Sequence, residues 1–412
     1  MRISSPELAE LLTIGLRECG INVILLGLVP SPAVYFAVKK LHLHAGVVVT
    51  ASHNPAEYNG FKFVLYDRLF HGSQIEDLGR LAAAGLYADN QVPGTLTARD
   101  ITRDYVLYLA SFLSMPFQKP IQVVWDPGNG ATSVVLKQLI ELLPGRHTII
   151  CGELDGTFPN HHPDPNLPEN MRMLQKEVMD LGADCGIAFD GDGDRIGVVD
   201  GAGKILRGDQ LLILYARDFL KKNSGGTVMS EVKASSFFYD DIARHGGVPL
   251  MWKVGHTNQK EKMRQDGIQL AGETSGHIFF MENHGFDDGL FAAVKLLNIL
   301  EQSNSPLSEI SARFPKLYNS GELRLKLDAI HRTRLIGEIR RRLDEAGREY
   351  IDLDGVRVPC GDGFWILRGS NTQPHITIYC EAATPEGLRL CLDEMKCQIA
   401  ASDIDFDAHR LR

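Results

Sequence analysis

The stretch that decides the fold is GIAFDGDGDR, residues 186–195, in which a short apolar run leads into alternating aspartates and glycines. A few apolar residues bounded by turn formers are typical of a buried strand. In open α/β sheets, ligands bind just beyond the carboxyl ends of such strands. The segment therefore predicts an α/β fold with a binding loop that begins at Asp190.

Strand and helix signals alternate on both sides of this segment, which indicates α/β units with mostly parallel strands. A buried strand is predicted at 21–27, further strands at 46–49, 121–126 and 227–232, and helices at 5–20, 32–41 and 131–143. From residue 314 the pattern changes, because a helical segment at 332–347 precedes an alternating strand at 376–382. That change predicts a distinct C-terminal α+β domain, and the length of 412 residues fits three or four domains in all. The predicted boundaries are 1–97, 98–200, 201–313 and 314–412.

Composition and charge exclude several classes of protein. The balance of 43 basic and 52 acidic residues gives a net charge of −9, which does not favour nucleic-acid binding. No apolar run approaches the roughly 20 residues of a membrane span, and the N-terminus carries no secretory signal. The seven cysteines are scattered without a CxxC pair, which favours free thiols in a reducing cytosol over disulfides or a zinc site. We expect a cytoplasmic monomer without nucleic-acid or membrane partners.

The aspartates of the binding loop point to a metal ion. Asp190, Asp192 and Asp194 would repel one another strongly unless a cation lay among them, and carboxylate oxygens suit Mg²⁺. A solvated acidic turn is the simplest alternative. A calcium EF-hand loop is disfavoured because Arg195 stands at its sixth position and Gly201 at its twelfth. A phosphatase with an aspartate nucleophile stays open, and Arg195 favours phosphate nearby because its planar guanidinium matches phosphate oxygens.

Two further apolar strands also run directly into polar loops. The strand at 46–49 leads into TASHNP (50–55), and the apolar run at 268–271 leads into GETSGH (272–277). Ser52, next to His53, is a candidate nucleophile, although a serine–histidine pair alone is more often structural, and no GxSxG elbow surrounds it. We expect these two loops to meet residues 190–195 in one cleft.

Four motifs in this order resemble the α-D-phosphohexomutase superfamily: TASHNP with YNGFK (58–62), DGDGDR (190–195), GETSGH, and RGSNT (368–372). The resemblance extends over essentially the whole chain. The GETSGH loop and DGTFPNHHPDP (155–165) are similar to bacterial phosphomannomutase/phosphoglucomutases. This resemblance implies four domains around a central cleft, three of them α/β/α with mixed sheets and the last α+β.

The resemblance also implies the chemistry. Phosphorylated Ser52 would give its phosphoryl group to a hexose 1- or 6-phosphate, and the hexose 1,6-bisphosphate would turn over and return its other phosphate. Glucose 1,6-bisphosphate would be the activator. One Mg²⁺ per chain would be held by Ser52 and the three aspartates. The remaining residues near the transferred phosphate would be His53, Lys62, Arg195 and His277, with Lys62 and His277 as candidate proton-transfer groups.

Substrate contacts are implied in three other loops. Glu273 and Ser275 would bind the sugar hydroxyls O3 and O4. The distal phosphate would be bound by Arg368, Ser370, Asn371 and Thr372, although RGSNT alone is equally consistent with an ordinary β-turn. Lys253 and His256 resemble a further substrate loop. Asp287 and Asp288 are predicted to cap the helix that follows them.

Members of the superfamily carry a further segment before the point at which this sequence starts. We therefore expect the first domain to lack a strand and part of the catalytic wall. Two other functions stay open on the sequence: a catalytically impaired sugar-phosphate-binding protein, and a Mg²⁺-dependent sugar phosphatase. The loops that would bind a second phosphate and a sugar argue against simple hydrolysis.

Overall fold

The structure is a computed structural model that describes residues 2–66, 68–88, 90, 92–114, 116–117, 119–370 and 374–402. Two predicted phosphate ligands, Asn371 and Thr372, lie outside the described residues. Among the helices within these ranges, none combines the length and the apolar character that crossing a membrane requires.

The first region places helices over two separate two-stranded sheets. Its elements are α1 (Ser5–Glu18), β1 (Val23–Leu25), α2 (Ser31–Lys40), β2 (Ala45–Val49), β3 (Phe61–Leu65), α3 (Ser73–Ala83) and β4 (Leu96–Ala98). Strands β1 and β4 pair in parallel, whereas β2 and β3 pair antiparallel. The expectation of a buried strand at 21–27 is wrong in its burial, because Leu25 is 39% exposed and the rest of β1 is half-buried.

The second region contains a five-stranded mixed sheet in the order β6-β5-β7-β8-β9. Its elements are α4 (Thr102–Ala110), β5 (Gln122–Asp126), α5 (Thr132–Leu139), β6 (Arg146–Ile149), α6 (Arg172–Leu181), β7 (Cys185–Phe189), β8 (Ile196–Asp200) and β9 (Ile205–Leu206). Strand β7 is the apolar run GIAF, and every residue of it is buried. It is parallel to β5 and antiparallel to β8, so the aspartate loop is the turn between β7 and β8.

The third region repeats this plan with a sheet in the order β11-β10-β12-β13-β14. Its elements are α7 (Gly208–Lys222), β10 (Thr227–Glu231), α8 (Ser236–Arg244), β11 (Val248–Trp252), α9 (His256–Asp266), β12 (Leu270–Gly272), β13 (Ile278–Phe280), a 3₁₀ helix (Met281–Asn283), β14 (Phe286–Asp287), α10 (Gly289–Gln302) and α11 (Leu307–Ala312). The loop between β12 and β13 carries GETSGH, so it lies at the same kind of turn as the aspartate loop.

The C-terminal region is an antiparallel sheet in the order β15-β19-β18-β17, with β16 also pairing with β19. Its elements are β15 (Tyr318–Asn319), β16 (Leu323–Lys326), α12 (Ala329–Glu345), β17 (Val356–Cys360), β18 (Gly363–Gly369), β19 (His375–Ala382) and α13 (Pro385–Ala400). The expected fold class, three α/β/α units with mixed sheets and a C-terminal α+β domain, is therefore confirmed. The four boundaries given above stay a prediction.

The chain has two large apolar cores. One core is continuous through the first three regions and includes Ala37 of α2, Trp125 of β5 and Phe291 of α10. The C-terminal region has its own core around Trp365 and Met395. Because the first three regions share one close-packed interior, the loops at their strand ends are held at fixed relative positions.

Candidate active site

Ser52 lies in a tight turn just beyond the end of β2. Its backbone has a φ of +50°, in the left-handed region that non-glycine residues rarely adopt. The Ser52 hydroxyl donates a hydrogen bond of 2.5 Å to Asp190 Oδ2 and lies 3.1 Å from Nδ1 of His53. Such a strained position persists only where surrounding contacts enforce it. The turn therefore presents the serine oxygen to the aspartate loop.

Arg2 is one of the groups that enforce this turn. Its buried guanidinium donates to the carbonyl oxygens of Ser52 at 2.7 Å and Asn54 at 2.6 Å, and also to that of Pro55. A guanidinium offers several donors in a fixed plane, so one side chain can bind three carbonyl oxygens of one loop. We did not predict this role from the sequence, because nothing near Arg2 in the chain indicates contact with residues 52–55.

Asp190, Asp192 and Asp194 form a buried carboxylate cluster that can hold a metal ion. The three residues are 0–4% exposed, and one oxygen from each lies within 4.8 Å of the others. Burial, followed by the charges of Asp192 and Asp194, raises the pKa of Asp190 well above its usual value. Within the described residues, Oδ1 of Asp192 and Oδ1 of Asp194 have no hydrogen-bond partner. Buried carboxylate oxygens without partners fit a divalent cation with oxygen ligands.

Lys62 on β3 contacts the same cluster. Its ammonium donates 2.7 Å to Asp192 Oδ2 and also contacts Asp194 Oδ2. Burial opposes the charged form of Lys62, but the carboxylates of Asp192 and Asp194 outweigh it and raise the pKa of the amine well above its usual value. The Ser31 hydroxyl, at the start of α2, donates 2.7 Å to Asp192 Oδ2. Lys62 is therefore a cationic group at the aspartate cluster, and Ser31 helps to orient Asp192.

His277 lies between Arg195 and Asp287. Nε of Arg195 donates 3.0 Å to Nε2 of His277, and Nδ1 of the same imidazole lies 3.1 Å from Asp287 Oδ2. Because a guanidinium can only donate, Nε2 of His277 acts as an acceptor and the ring proton is placed on Nδ1. The unprotonated Nε2 is a potential proton acceptor close to the aspartate loop.

Asp287 corrects one of our sequence expectations. Asp288 caps α10 as predicted, since its carboxylate accepts from the Phe291 amide at 2.9 Å. Asp287, the last residue of β14, does not cap the helix. Its buried carboxylate contacts Lys260 and His277 and lies 3.2 Å from Nδ1 of His256. Burial opposes the anion, but the neighbouring cation of Lys260 and the two imidazoles hold the pKa of Asp287 well below its usual value.

Glu273 and Ser275 lie together in the turn after β12. Glu273 is 3% exposed, and it accepts from the Gly255 amide at 2.6 Å and from the Ser275 hydroxyl at 3.2 Å. Burial, and then the charge of Glu231, raise the pKa of Glu273. The carbonyl of Gly276 accepts from the amide of Ile196 at 3.0 Å, directly after the aspartate loop. That bond fixes the Glu273 turn against the aspartate loop.

Arg368 connects the C-terminal region to the loop before α9. Its Nε donates 3.1 Å to Asp354 Oδ2, and the same oxygen accepts from the amide of Val254 at 2.9 Å. Val254 follows Lys253, whose carbonyl accepts from Gln259 at 2.9 Å. Through Asp354, the buried guanidinium of Arg368 is held beside the segment that carries Lys253.

The predicted site residues thus fall into two groups. Ser52, His53, Lys62, Arg195 and His277 surround the three aspartates, and His256 joins them because its ring stacks on that of His277 with centroids 5.4 Å apart. Lys253 and Arg368 lie at the other end, together with Ser370, whose amide donates 2.9 Å to the carbonyl of His375. Glu273 connects the two groups, because it accepts from the Gly255 amide in the loop after Lys253 and its charge helps to raise the pKa of Arg195. Four residues that contact the predicted site residues were not indicated by the sequence: Arg2, Ser31, Lys260 and Asp354. They can be found only from their contacts in the folded chain.

Family models match consecutive parts of the chain. They are described as phosphoglucomutase/phosphomannomutase α/β/α domain I at residues 1–77, domain II at 103–203 and domain III at 207–318.

Individual proteins match over more than nine-tenths of this chain. A phosphomannomutase/phosphoglucomutase from Pseudomonas syringae pv. tomato is 40% identical over 385 residues, which are 93% of this chain and 82% of that protein. Its counterpart from Pseudomonas aeruginosa is 38% identical over 98% of this chain and 86% of its own length. A crystal structure of a phosphoglucomutase/phosphomannomutase family protein from Burkholderia thailandensis superposes with a TM-score of 0.91 at 35% identity, covering 98% of this chain and 88% of that one.

Proposed function

This chain belongs to the phosphoglucomutase/phosphomannomutase family, and from that premise we propose that it moves a phosphoryl group between O1 and O6 of glucose and mannose through phosphorylated Ser52 and a hexose 1,6-bisphosphate. As a phosphohexomutase it is an isomerase that interconverts hexose 1-phosphates and 6-phosphates. The observation that carries the mechanistic proposal is the contact between the Ser52 hydroxyl and Asp190, which places a nucleophilic oxygen at a buried carboxylate cluster.

In the first half-reaction, the free hydroxyl of a hexose phosphate attacks the phosphorus on Ser52. The bond between phosphorus and the serine oxygen breaks while the bond to the sugar oxygen forms. Nε2 of His277 takes the hydroxyl proton after its lone pair, which accepts from Arg195 in the substrate-free chain, is released, and Asp287 orients the ring. Lys62 carries a proton because the neighbouring carboxylates raise its pKa, and it gives a proton to the departing serine oxygen, so that Ser52 is left as a hydroxyl.

In the second half-reaction, the bisphosphate turns over and presents its other phosphate to Ser52. The Ser52 hydroxyl attacks and returns its proton to Lys62, the sugar–phosphate bond breaks, and the sugar oxygen recovers the proton that His277 held. A trace of glucose 1,6-bisphosphate would phosphorylate Ser52 and so act as the activator. The chain ends each cycle as it began, with one phosphoryl group on Ser52.

The carboxylates of Asp190, Asp192 and Asp194, together with an oxygen at Ser52, would hold Mg²⁺. The buried, unpartnered oxygens of Asp192 and Asp194 support this assignment. When bound, Mg²⁺ offsets the negative charge that builds on a transferring phosphoryl group. Arg195 and His53 line the same end, and the pKa of His53 is lowered to about 4 by burial and by the charge of Arg195, so this imidazole is neutral there.

At the other end, Arg368 and Ser370 would bind the phosphate that does not react, with Asn371, Thr372 and Lys253 beside them. Arginine suits this role because its planar guanidinium forms paired bonds to phosphate. Glu273 and Ser275 would bind the sugar hydroxyls between the two phosphates. The contacts of His256 with Asp287 and the His277 ring favour a role in orienting His277, and a direct contact with substrate stays a prediction. We also propose that the enzyme works in the cytoplasm.

The test is an assay of the full chain with Mg²⁺, a trace of glucose 1,6-bisphosphate, and either glucose 1-phosphate or mannose 1-phosphate. We expect 6-phosphate product from the unmodified chain and none from Ser52→Ala. Sugar-phosphate binding without product would favour an impaired binding protein. Release of inorganic phosphate without isomerised sugar would favour a phosphatase.

A further inference from the structure

A second cluster of potential metal ligands lies behind the aspartate loop. We propose that Asp126, Cys151 and His161 form a binding site for a thiophilic divalent ion of the Zn²⁺ class, separate from the magnesium site. Asp126 ends β5, Cys151 follows β6, and His161 lies in the loop at 155–165. The scattered cysteines had argued against a zinc site, but the fold brings one of them to a histidine and an aspartate that are distant in the sequence. This site is independent of the proposed function.

The distances fit a small ion. One ligand atom from each of the three residues lies within 4.8 Å of the other two, and Nε2 of His161 lies 2.9 Å from Asp126 Oδ2. Ligand atoms around tetrahedral zinc are about 3.3–3.8 Å apart, given Zn–N and Zn–S bonds of about 2.0 and 2.3 Å. The three groups therefore need only small side-chain movements to enclose an ion. Because Cys151 and His161 are partly exposed, water can complete a fourth position.

Asn129 holds the three ligand-bearing segments in place. It is buried and has a φ of +58°. Its amide donates 2.8 Å to the carbonyl of Cys151, and its side chain donates 2.7 Å to the carbonyl of Glu153. Its side-chain oxygen accepts from Asn160 at 2.8 Å, next to His161. A site whose ligands are fixed by such a network loses little conformational freedom when it binds an ion.

A proton fills the place of the ion in the metal-free protein. Asp126 faces Nε2 of His161, and the carbonyl of His162 lies 3.0 Å from Nδ1, so both ring nitrogens meet acceptors. Burial opposes the charged imidazole, but hydrogen bonds with Asp126 and Cys151 raise the pKa of His161 to about 10. A structural Asp–His ion pair is the rival explanation for these contacts. In that explanation the Cys151 thiol only hydrogen-bonds to the imidazole, whereas an ion of the Zn²⁺ class takes thiolate, imidazole and carboxylate together as ligands.

The two metal sites differ in chemistry, so they can be occupied separately. The aspartate cluster offers only carboxylate oxygens, which suit Mg²⁺, whereas thiolate and imidazole favour transition metals. The second site also adjoins the first, because the loop that carries His161 continues to Asp164, which lies 4.0 Å from Nη1 of Arg195. An ion at His161 would therefore restrain the loop beside Arg195.

The test uses Co²⁺ as the probe, added to the full chain in an excess of Mg²⁺ that occupies the aspartate cluster. We expect one Co²⁺ per chain with the near-ultraviolet charge-transfer absorption of a thiolate–cobalt bond. Cys151→Ser should abolish the absorption, and His161→Gln should weaken binding about 10-fold or more. Cys19→Ser, which changes another free, half-buried cysteine, should leave it intact.

Proton release provides a second measurement that does not depend on a variant. Zn²⁺ added to the weakly buffered, Mg²⁺-loaded chain should release protons, because the forms of cysteine and histidine that bind the ion are the thiolate and the neutral imidazole. The absence of both absorption and proton release in the unmodified chain would overturn the proposal, as would absorption that survives in Cys151→Ser. Mutase activity is not read in either experiment, so the two proposals fail separately.

Discussion

The hydroxyl of Ser52 and the carboxylate of Asp190 lie 2.5 Å apart although 138 positions separate them in the sequence. Ser52 belongs to the turn after β2 in the first region, and Asp190 follows β7 in the second. The contact therefore joins a nucleophile from one α/β unit to the carboxylate cluster of another. Its position depends on the shared core of these regions, which is why distant changes in packing can alter the chemistry at Ser52.

Mg²⁺ should stabilise the fold through the aspartate cluster. In the metal-free chain three buried carboxylates lie together, and Asp190 has a raised pKa for that reason. At one hundred times its dissociation constant, Mg²⁺ should increase the free energy of unfolding by about 2.7 kcal/mol. Asp190→Asn should lose this increment, and Asp180→Asn, a change on the exposed face of α6, should keep it. Urea unfolding with and without Mg²⁺ measures both; equal increments in the two variants would contradict the metal assignment.

Removal of the Arg2 side chain should slow turnover more than it weakens substrate binding. Its guanidinium holds the carbonyls of the Ser52 turn, so Arg2→Ala should misplace the nucleophile and lower kcat about 10- to 100-fold with little change in KM. Arg17→Ala is the matched control, because Arg17 also donates to a backbone carbonyl, that of Gly94, away from Ser52. Steady-state kinetics give kcat and KM for both variants. A similar loss of kcat in the two variants would show general destabilisation instead.

Arg368→Ala should mainly impair binding of the non-reacting phosphate. Loss of a charged, planar donor should raise KM for glucose 1-phosphate about 100-fold while Ser52 can still be phosphorylated. Arg341→Ala, on the exposed face of α12, should have little effect on KM. Steady-state kinetics measure KM, and mass spectrometry of the chain shows whether Ser52 is still phosphorylated. An unchanged KM in Arg368→Ala would remove this residue from the substrate site.

The buried carboxylate of Asp288 should make stability fall as pH rises. Burial raises the pKa of Asp288 to about 6, so the folded state holds the proton more tightly than the unfolded chain. Its stabilising contribution is complete below pH about 4 and is lost as pH rises through about 6, a change of about 3 kcal/mol. Asp288→Asn has no such titration. Unfolding of both chains by urea between pH 4 and 7 should show curves that diverge by this amount; parallel curves would refute the pKa assignment.

The sequence predicted the parts of the site that are local to one loop. Ser52, the three aspartates and Glu273 each follow a strand whose apolar pattern is clear, so their places at strand ends could be predicted before the structure was known. The start of α1 shows the limit of local rules: the sequence predicts Ser5, which precedes Pro6, as the N-cap. In the structure α1 begins at Ser5 and Ser4 is the N-cap, while the Ser5 hydroxyl accepts from Asn59 at 3.0 Å.

Residues whose roles depend on distant partners could not be predicted in this way. Asp287 and Asp288 are adjacent and look alike in the sequence, yet only Asp288 caps α10. The outcome depends on distant partners such as Lys260, which contacts Asp287 from α9. Likewise, Asp354 gains its role only because folding brings Val254 and Arg368 to the same carboxylate oxygen.

Phosphoryl transfer through Ser52 is tested most directly by following the phosphate itself. The full chain is incubated with glucose 1,6-bisphosphate and Mg²⁺, freed of small molecules, and its phosphorylation site is mapped by mass spectrometry before and after addition of glucose 6-phosphate. We predict one phosphoryl group on Ser52 that leaves the protein and appears as hexose bisphosphate when the sugar is added. A chain that never carries phosphate on Ser52, or whose phosphate the sugar does not remove, would contradict the account.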